Sequence, residues 1–354
     1  MKGGDESKSS SREAMLPEAK QSREAMVPEA KQSRWIGRLS VAADLTSSVA
    51  IIVCNKLLMS RFGFRFPVTL TAAHFAVTSV AVATVRAVSQ GAAPGVAGGS
   101  VPLAPVVAFA LLSSGAIILS NASLCLNSVA FYQIVKLATL PFIACLEIAS
   151  HTRSYSLRHG ACFAVIMFGV GVTIRGTMRT SGPGALAACA SVLMTGCHQF
   201  FCGKLQSHFN VTPATLLSQV APLKAVIILL CAPTLDRVWF GSVLKLSAVS
   251  SEALCLAAAT CALAVVVNVA QYSVIKYYGA GLFQAMSQLK TAVIIYGGSL
   301  AFEGAVSPVQ GVGTLVSVLG VYLLLHEKQR GAANKDVESS TRAPLIADKI
   351  KAVV

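Results

Sequence analysis

Between residues 39 and 327 the chain alternates long apolar windows with short breaks that carry charges, prolines or glycines. A bilayer core about 30 Å thick is crossed by roughly 20 apolar residues in an α-helix. Windows of about that length recur at Val41–Met59, Thr69–Val88, Pro102–Leu119, Ala122–Ile148 and Gly160–Ile174, then at Gly184–Leu205, Pro213–Leu230, Glu252–Ile275, Gly279–Phe302 and Val309–Leu325. The pattern predicts an all-α polytopic membrane protein with ten transmembrane helices. Merging the pair that meets at 119–122, or the pair at 275–279, would make it nine. Several connections are so short that consecutive helices must be antiparallel neighbours in a bundle. Residues 1–38 and 328–354 are polar and read as disordered cytosolic tails around a transporter-sized domain at 39–327. The N-terminal tail duplicates itself, SREAMLPEAKQ at Ser11–Gln21 and SREAMVPEAKQ at Ser22–Gln32. Two such units, each broken by a proline, are too few to stack as a solenoid.

Composition agrees with the pattern and removes other classes. The 354 residues are 54% hydrophobic and only 12% charged, against roughly 25% charge in a soluble domain. The net charge of +14 is spread between apolar runs rather than gathered in a basic stripe, so nucleic acid is not expected as a partner. Ten cysteines form no CxxC pair and lie mostly in apolar stretches, where a thiol behaves as a small hydrophobe; no metal or cofactor is expected. The first 34 residues are polar and hold Asp5, Glu6, Glu13, Glu18, Glu24 and Glu29, which suits neither a signal peptide nor an acid-poor transit peptide. Targeting is expected to rest on the first membrane helix. With both tails on one side, that side receives Arg34, Arg38, Arg86, Arg153, Arg158, Lys204, Lys276, Lys328 and Arg330, and the other Arg61, Arg65, Arg175, Arg179, Arg237 and Lys245. The positive-inside rule then favours cytosolic ends. Motifs of soluble enzymes (GxGxxG after a strand, GxxxxGK[ST], HExxH, GxSxG) are absent.

Four lysines, Lys56, Lys136, Lys224 and Lys290, interrupt the apolar windows. Such a residue is costly in hydrocarbon unless it snorkels, meets a counter-charge or faces a polar cavity, and it often marks a solute path. Lys56 can snorkel from a helix end and Lys224 can belong to a turn; Lys136 and Lys290 have long apolar stretches behind them. A lysine amine suits phosphate oxygens, so a cavity for an anion is expected. Tyr132 and Lys136 are four residues apart and share a helix face, with Gln133 about a quarter turn away. Gln284, Gln288 and Thr291 make a similar stripe beside Lys290, where interhelical hydrogen bonding is an equally good use for the amides. Glu147 and Glu303 lie near helix ends, where they could pair with Arg153 or with the lysines as gating latches.

The two halves echo each other. Asn121, FYQIVK at Phe131–Lys136 and Glu147 in the first are answered by Asn268, FQAMSQLK at Phe283–Lys290 and Glu303 in the second. GVGVTIRG at Gly169–Gly176 is answered by GVGTLVSVLG at Gly311–Gly320. Five helices plus five, in repeats of about 39–180 and 181–327, would give an inverted repeat with the substrate near the midplane.

The chain resembles the triose-phosphate translocator and nucleotide-sugar transporter group of the drug/metabolite transporter superfamily. The resemblance rests on Asn55–Lys56, FPVTLTAAHF at Phe66–Phe75, NASLCLNSVAFYQIVKLATLPF at Asn121–Phe142, LLSQVAP at Leu216–Pro222 followed by Pro233 and Asp236, Asn268, and FQAMSQLKT at Phe283–Thr291. It implies ten transmembrane helices, cytosolic ends and antiport of a nucleotide sugar against a nucleoside monophosphate in the Golgi membrane. The endoplasmic reticulum comes second as a location and the plastid envelope third. Within it, Lys136 and Lys290 match the phosphate-side lysines, and Tyr132 and Gln133 the fourth-helix motif. Lys290–Thr291 stands where plastid sugar-phosphate exchangers carry lysine–arginine, Val267 rather than tyrosine precedes Asn268, and GAGLF at Gly279–Phe283 replaces the GALNK of GDP-mannose carriers. The last two departures speak against triose-phosphate and GDP-mannose exchange, while the Lys290–Thr291 pair resembles the UDP-sugar subgroup and implies exchange of a UDP-sugar for a nucleoside monophosphate such as UMP. The expected substrate contacts are Lys136, Lys290, Tyr132, Gln133, Lys56, Asn268, Gln284, Gln288, Thr291 and Lys224. The expected partners are the two nucleotides, the lipid bilayer and a second copy in a homodimer. Exchange of phosphorylated C3–C6 metabolites for phosphate, and a non-transporting adaptor acting through its tails, are the alternatives.

Overall fold

A computed structural model describes residues 35–92, 99–127, 129–173, 181–241, 249–298, 308–309, 311–327 and 330. The expected tails lie outside them, except for residues 35–38, which already belong to the first helix, and Arg330. The helices are α1 (Trp35–Arg61), α2 (Pro67–Ala92), α3 (Leu103–Leu126), α4 (Val129–Leu137), α5 (Thr139–Ala149), α6 (Leu157–Thr173), α7 (Gly182–His208), α8 (Pro213–Phe240), α9 (Ser251–Tyr278), α10 (Ala280–Gly298) and α11 (Gly311–Glu327). Among the described residues seven helices are long and apolar enough to cross a membrane, with α4 and α5 counted as one span, and α6 and α11 are shorter apolar helices. Val80, Phe168, Leu186, Leu230 and Leu315 are each more than 60% exposed, the outward apolar surface that lipid would cover.

One boundary differs from the sequence reading. The expected fourth span, Ala122–Ile148, is not one helix: α3 continues to Leu126, so Asn121 belongs to the third span. Asn127 ends α3 by folding its amide back onto the Ser123 carbonyl at 2.9 Å, and it also reaches the Gly184 carbonyl at 2.9 Å. The chain restarts as α4 and breaks again at Ala138. Pro141 accounts for that second break, because a proline ring clashes with the carbonyl four residues earlier, here that of Leu137, where α4 stops. At the other doubtful boundary, Gly279 with φ +89° separates α9 from α10.

Packing joins the two halves at every level. α2 lies along α8, and α3 along α7. The N-terminus of α2 is closed by a residue from α8: the buried Asp236 carboxylate accepts the Val68 and Thr69 amides at 3.0 Å each and the Thr69 hydroxyl at 2.6 Å. The first amides of a helix have no partner inside it and carry partial positive charge, so a carboxylate there is stabilising. The glycine runs that echo each other in sequence touch each other in space. A Cβ on Gly169 would come within 2.8 Å of the Gly313 carbonyl oxygen, and one on Gly313 within 2.7 Å of the Gly169 carbonyl oxygen. α6 and α11 therefore cross backbone to backbone, as small residues allow in membranes.

Asp236→Ala is expected to lower stability by about 2 kcal/mol, since it strips charge-assisted bonds from buried amides. Gly169→Ala should cost about 1–3 kcal/mol, because α11 offers backbone rather than a yielding side chain. Thermal unfolding in detergent reads both, and Asp236→Asn is expected to fall between wild type and Asp236→Ala.

Candidate functional site

A cavity of about 330 Å³ lies among α1, α2, α3, α4, α5, α7, α8, α9 and α10. Three of the four lysines singled out above meet there: Lys136 from α4, Lys224 from α8 and Lys290 from α10. Tyr132, Asn121, Asn268 and Gln284 line it as well.

Each lysine is accommodated differently. Lys290, 9% exposed, donates to Asp44 Oδ2 at 2.8 Å and to the Ser48 hydroxyl at 3.3 Å, both on α1. Asp44 is 1% exposed, and its other oxygen accepts from Ser48 at 3.4 Å. Lys224, 3% exposed, rests its ammonium 3.9 Å from the Phe75 ring centroid. Lys136 lies 5.9 Å from the centroid of Tyr132, on the shared face that their spacing requires. An aromatic face steadies a cation without neutralising it. Lys136 and Lys224 thus face the cavity beside rings, while Lys290 faces it beside an acid.

The uncharged lining is rich in atoms that have no protein partner among the described residues. Both amide atoms of the fully buried Gln284 lack one, as do Gln199 Oε1, Thr139 Oγ1 and His198 Nε2, although the His198 ring is stacked 5.1 Å from Phe109. Buried polar atoms are costly when unmet, so such a cluster at a cavity marks a place for a polar ligand or water. Asn268 donates to Thr78 at 3.1 Å and also lines the cavity.

The remaining expected contacts are elsewhere. Gln288 donates to the Lys136 carbonyl oxygen at 3.2 Å, joining α10 to α4 at the level of the Pro141 break. Thr291 bonds back to the Ser287 carbonyl at 3.1 Å, and neither Gln288, Thr291 nor Gln133 lines the cavity. Lys56 is exposed on α1, also outside the lining. Glu303 lies outside the described residues. Sequence reasoning passed over Asp44, Ser48, His198 and Gln199. Asp44 was the legible one, an acid inside the first apolar window.

Glu147 sits at the end of the bundle that holds Trp35, well away from the lysines. Buried at 3% exposure, it accepts a hydrogen bond from Tyr155 and lies 3.8 Å from Arg153 Nε. The α9–α10 turn presses on this cluster: a Cβ on Gly279 would come 2.5 Å from Arg153 Nε, and one on Gly281 would strike the Tyr155 hydroxyl. Glycine is needed twice, and at Gly279 the positive φ requires it as well. Tyr155 lies in the connection between α5 and α6, where burial first, and then the Glu147 carboxylate, hold its phenol well above its ordinary value of 10.0. The folded phenol stays neutral where an unfolded one ionises. Its contribution is therefore complete below pH 10 and is lost as pH rises beyond that value. Tyr155→Phe is expected to flatten the alkaline fall in stability, measured as unfolding temperature against pH in detergent.

Residues 41–324 match the Triose-phosphate Transporter family. A UDP-rhamnose/UDP-galactose transporter of Arabidopsis thaliana is 33% identical over 297 residues, covering 82% of this chain and 84% of the relative. A UDP-xylose transporter of the same plant is 29% identical over 320 residues, covering 89% and 88%. A crystal structure with a TM-score of 0.64 and 17% identity covers 83% of this chain and 97% of its own, and so shares the fold. With the family match spanning the whole bundle, this chain belongs to the triose-phosphate transporter family of the drug/metabolite transporter superfamily and is a membrane transporter, not an enzyme.

Proposed function

We propose that the chain is an antiporter that exchanges a UDP-sugar for a nucleoside monophosphate such as UMP across the Golgi membrane, with both ends in the cytosol. The observation that carries this reading is the convergence of Lys136, Lys224 and Lys290 on one cavity. Ammonium groups held in a low-dielectric enclosure attract phosphate far more strongly than they would in water. Both exchanged nucleotides carry phosphate, and a neutral sugar would gain little from the lysines. Gln199, Gln284 and Asn268 supply amides for a base and sugar hydroxyls, and Tyr132 a ring face. The relatives named for UDP-rhamnose, UDP-galactose and UDP-xylose support a UDP-sugar.

The alternation needed for exchange fits ten helices in two inverted sets of five, with Lys136 and Lys290 at matching places in the two halves. Pocket position supports this: Lys224 and Lys290 sit near mid-helix and Lys136 beside the break between α4 and α5, while the Glu147–Tyr155–Arg153 cluster lies at one end against the α9–α10 turn. In this scheme Glu147 is a latch for that end.

The direct test is uptake into proteoliposomes loaded in turn with UMP, GMP, CMP or inorganic phosphate, against a panel of UDP-sugars and sugar phosphates. UMP-driven entry of a UDP-sugar is expected; exchange with phosphate alone would transfer the chain to phosphorylated C3–C6 metabolites, and no exchange would revive the adaptor reading. Lys136→Ala should lower uptake by about tenfold or more, the equivalent of about 1.4 kcal/mol, with Lys56→Ala close to wild type. Lys290→Ala is the poorer probe, because it strands Asp44 without its partner.

A further inference from the structure

Asp44 is the only acid among the described residues that line the cavity, against three lysines. It is built in rather than incidental: one oxygen holds Lys290 at 2.8 Å, the other takes Ser48 at 3.4 Å, and Ser48 in turn accepts from Lys290 at 3.3 Å. Asp44 and Ser48 lie one turn apart on α1, so a single helix face presents the acid and its support to the cavity. Nothing in the family match or in the relatives' names gives α1 a part in choosing the ligand.

We propose that Asp44 sets the charge preference of the cavity: by cancelling one lysine it favours ligands with two negative charges over ligands with three. This rests on the nucleotide-exchange reading above. A phosphate monoester carries about −1.5 to −2 at neutral pH. A nucleotide sugar, whose diphosphate is esterified at both ends, has one charge on each phosphate. A free nucleoside diphosphate has the terminal group's second ionisation in addition. The two exchanged nucleotides therefore match in charge, and the free diphosphate exceeds them by about one. Without Asp44 the cavity would gain a full positive charge beside Lys290 and would lose its grounds for refusing the more highly charged nucleotide. A Lys290–Asp44 pair that served only to hold α1 against α10, out of reach of the ligand, would leave the relative affinity of such ligands unchanged when the acid is removed.

The test compares UMP and UDP as inhibitors of UMP-driven UDP-sugar uptake by the full-length chain in proteoliposomes. Asp44→Asn keeps the shape and removes the charge, and the ratio of the UDP to the UMP inhibition constant is expected to fall by about tenfold or more. That is a lower bound for one unit charge at an effective dielectric of about 20. Asp44→Glu should keep the wild-type ratio, and Lys136→Gln, which removes a positive charge, should raise it. Where a variant turns over too slowly, the same ratio is read from ligand-induced shifts in unfolding temperature. An unchanged ratio in Asp44→Asn, or movement of Asp44→Asn and Lys136→Gln in the same direction, would overturn the proposal while leaving exchange itself standing. Absence of any UMP-driven uptake by the wild type would overturn the exchange reading, and this proposal with it.

Discussion

The structure turns on the cost of placing an ammonium group in the apolar middle of a bundle. Lys290 meets that cost with Asp44, a partner 246 positions away in sequence. The bond fixes α1, the first helix of the domain, against α10 near its end. Removing one member would leave a buried charge unpaired, which is far more damaging than removing both. Among the described residues Lys136 and Lys224 meet aromatic rings rather than acids. One cavity thus combines a compensated charge with two that are steadied but not cancelled, a combination suited to an anion that must bind and then leave.

Several other polar bonds of the bundle tie helix ends together. Asp236 closes the start of α2 from α8, Asn127 joins the end of α3 to the start of α7, and the Lys276 ammonium donates to the Val211 carbonyl at 2.8 Å. Arg86 donates to the Ser218 hydroxyl at 2.6 Å, close to the Gln219 amide that holds Val101. At mid-helix the contacts are largely apolar or made by glycine, with a few hydrogen bonds such as His74 to Thr260 and Asn268 to Thr78, and several unmet polar atoms line the cavity. Internal polar ties around a polar, charged centre are what remain when lipid forbids unsatisfied groups on the outside.

Much of this was legible in the chain. Apolar length located the spans because a bilayer imposes one, and the lysines located the cavity because charge in hydrocarbon needs a reason. The end of α3 was misplaced because residues 119–122 contain nothing that stops a helix, while Asn127, which does, lies inside an apolar-looking run. Pro141 stands in the open, but inside an apolar run that reads as one span. The glutamine stripe on α10 was harder. Gln284 and Gln288 are four residues apart and look equivalent, yet one faces the cavity and the other faces a carbonyl on α4. Only the position of a neighbouring helix separates them, and a single sequence does not contain it. Asp44 failed for a different reason: its partner is distant along the chain, so nothing local announced a pair.

The bond from Gln288 to the Lys136 carbonyl has a consequence for the spacing of the two phosphate-side lysines. In an unbroken helix that carbonyl would be occupied by its own chain; the Pro141 break frees it, and α10 supplies the missing donor. Lys136 and Lys290 therefore sit on backbones held in register by an uncharged ruler, read from a residue that touches neither ammonium group. A change of amide to carboxylate at that ruler would oppose one acceptor with another, shifting the two charges relative to each other while every charged side chain of the cavity stayed in place.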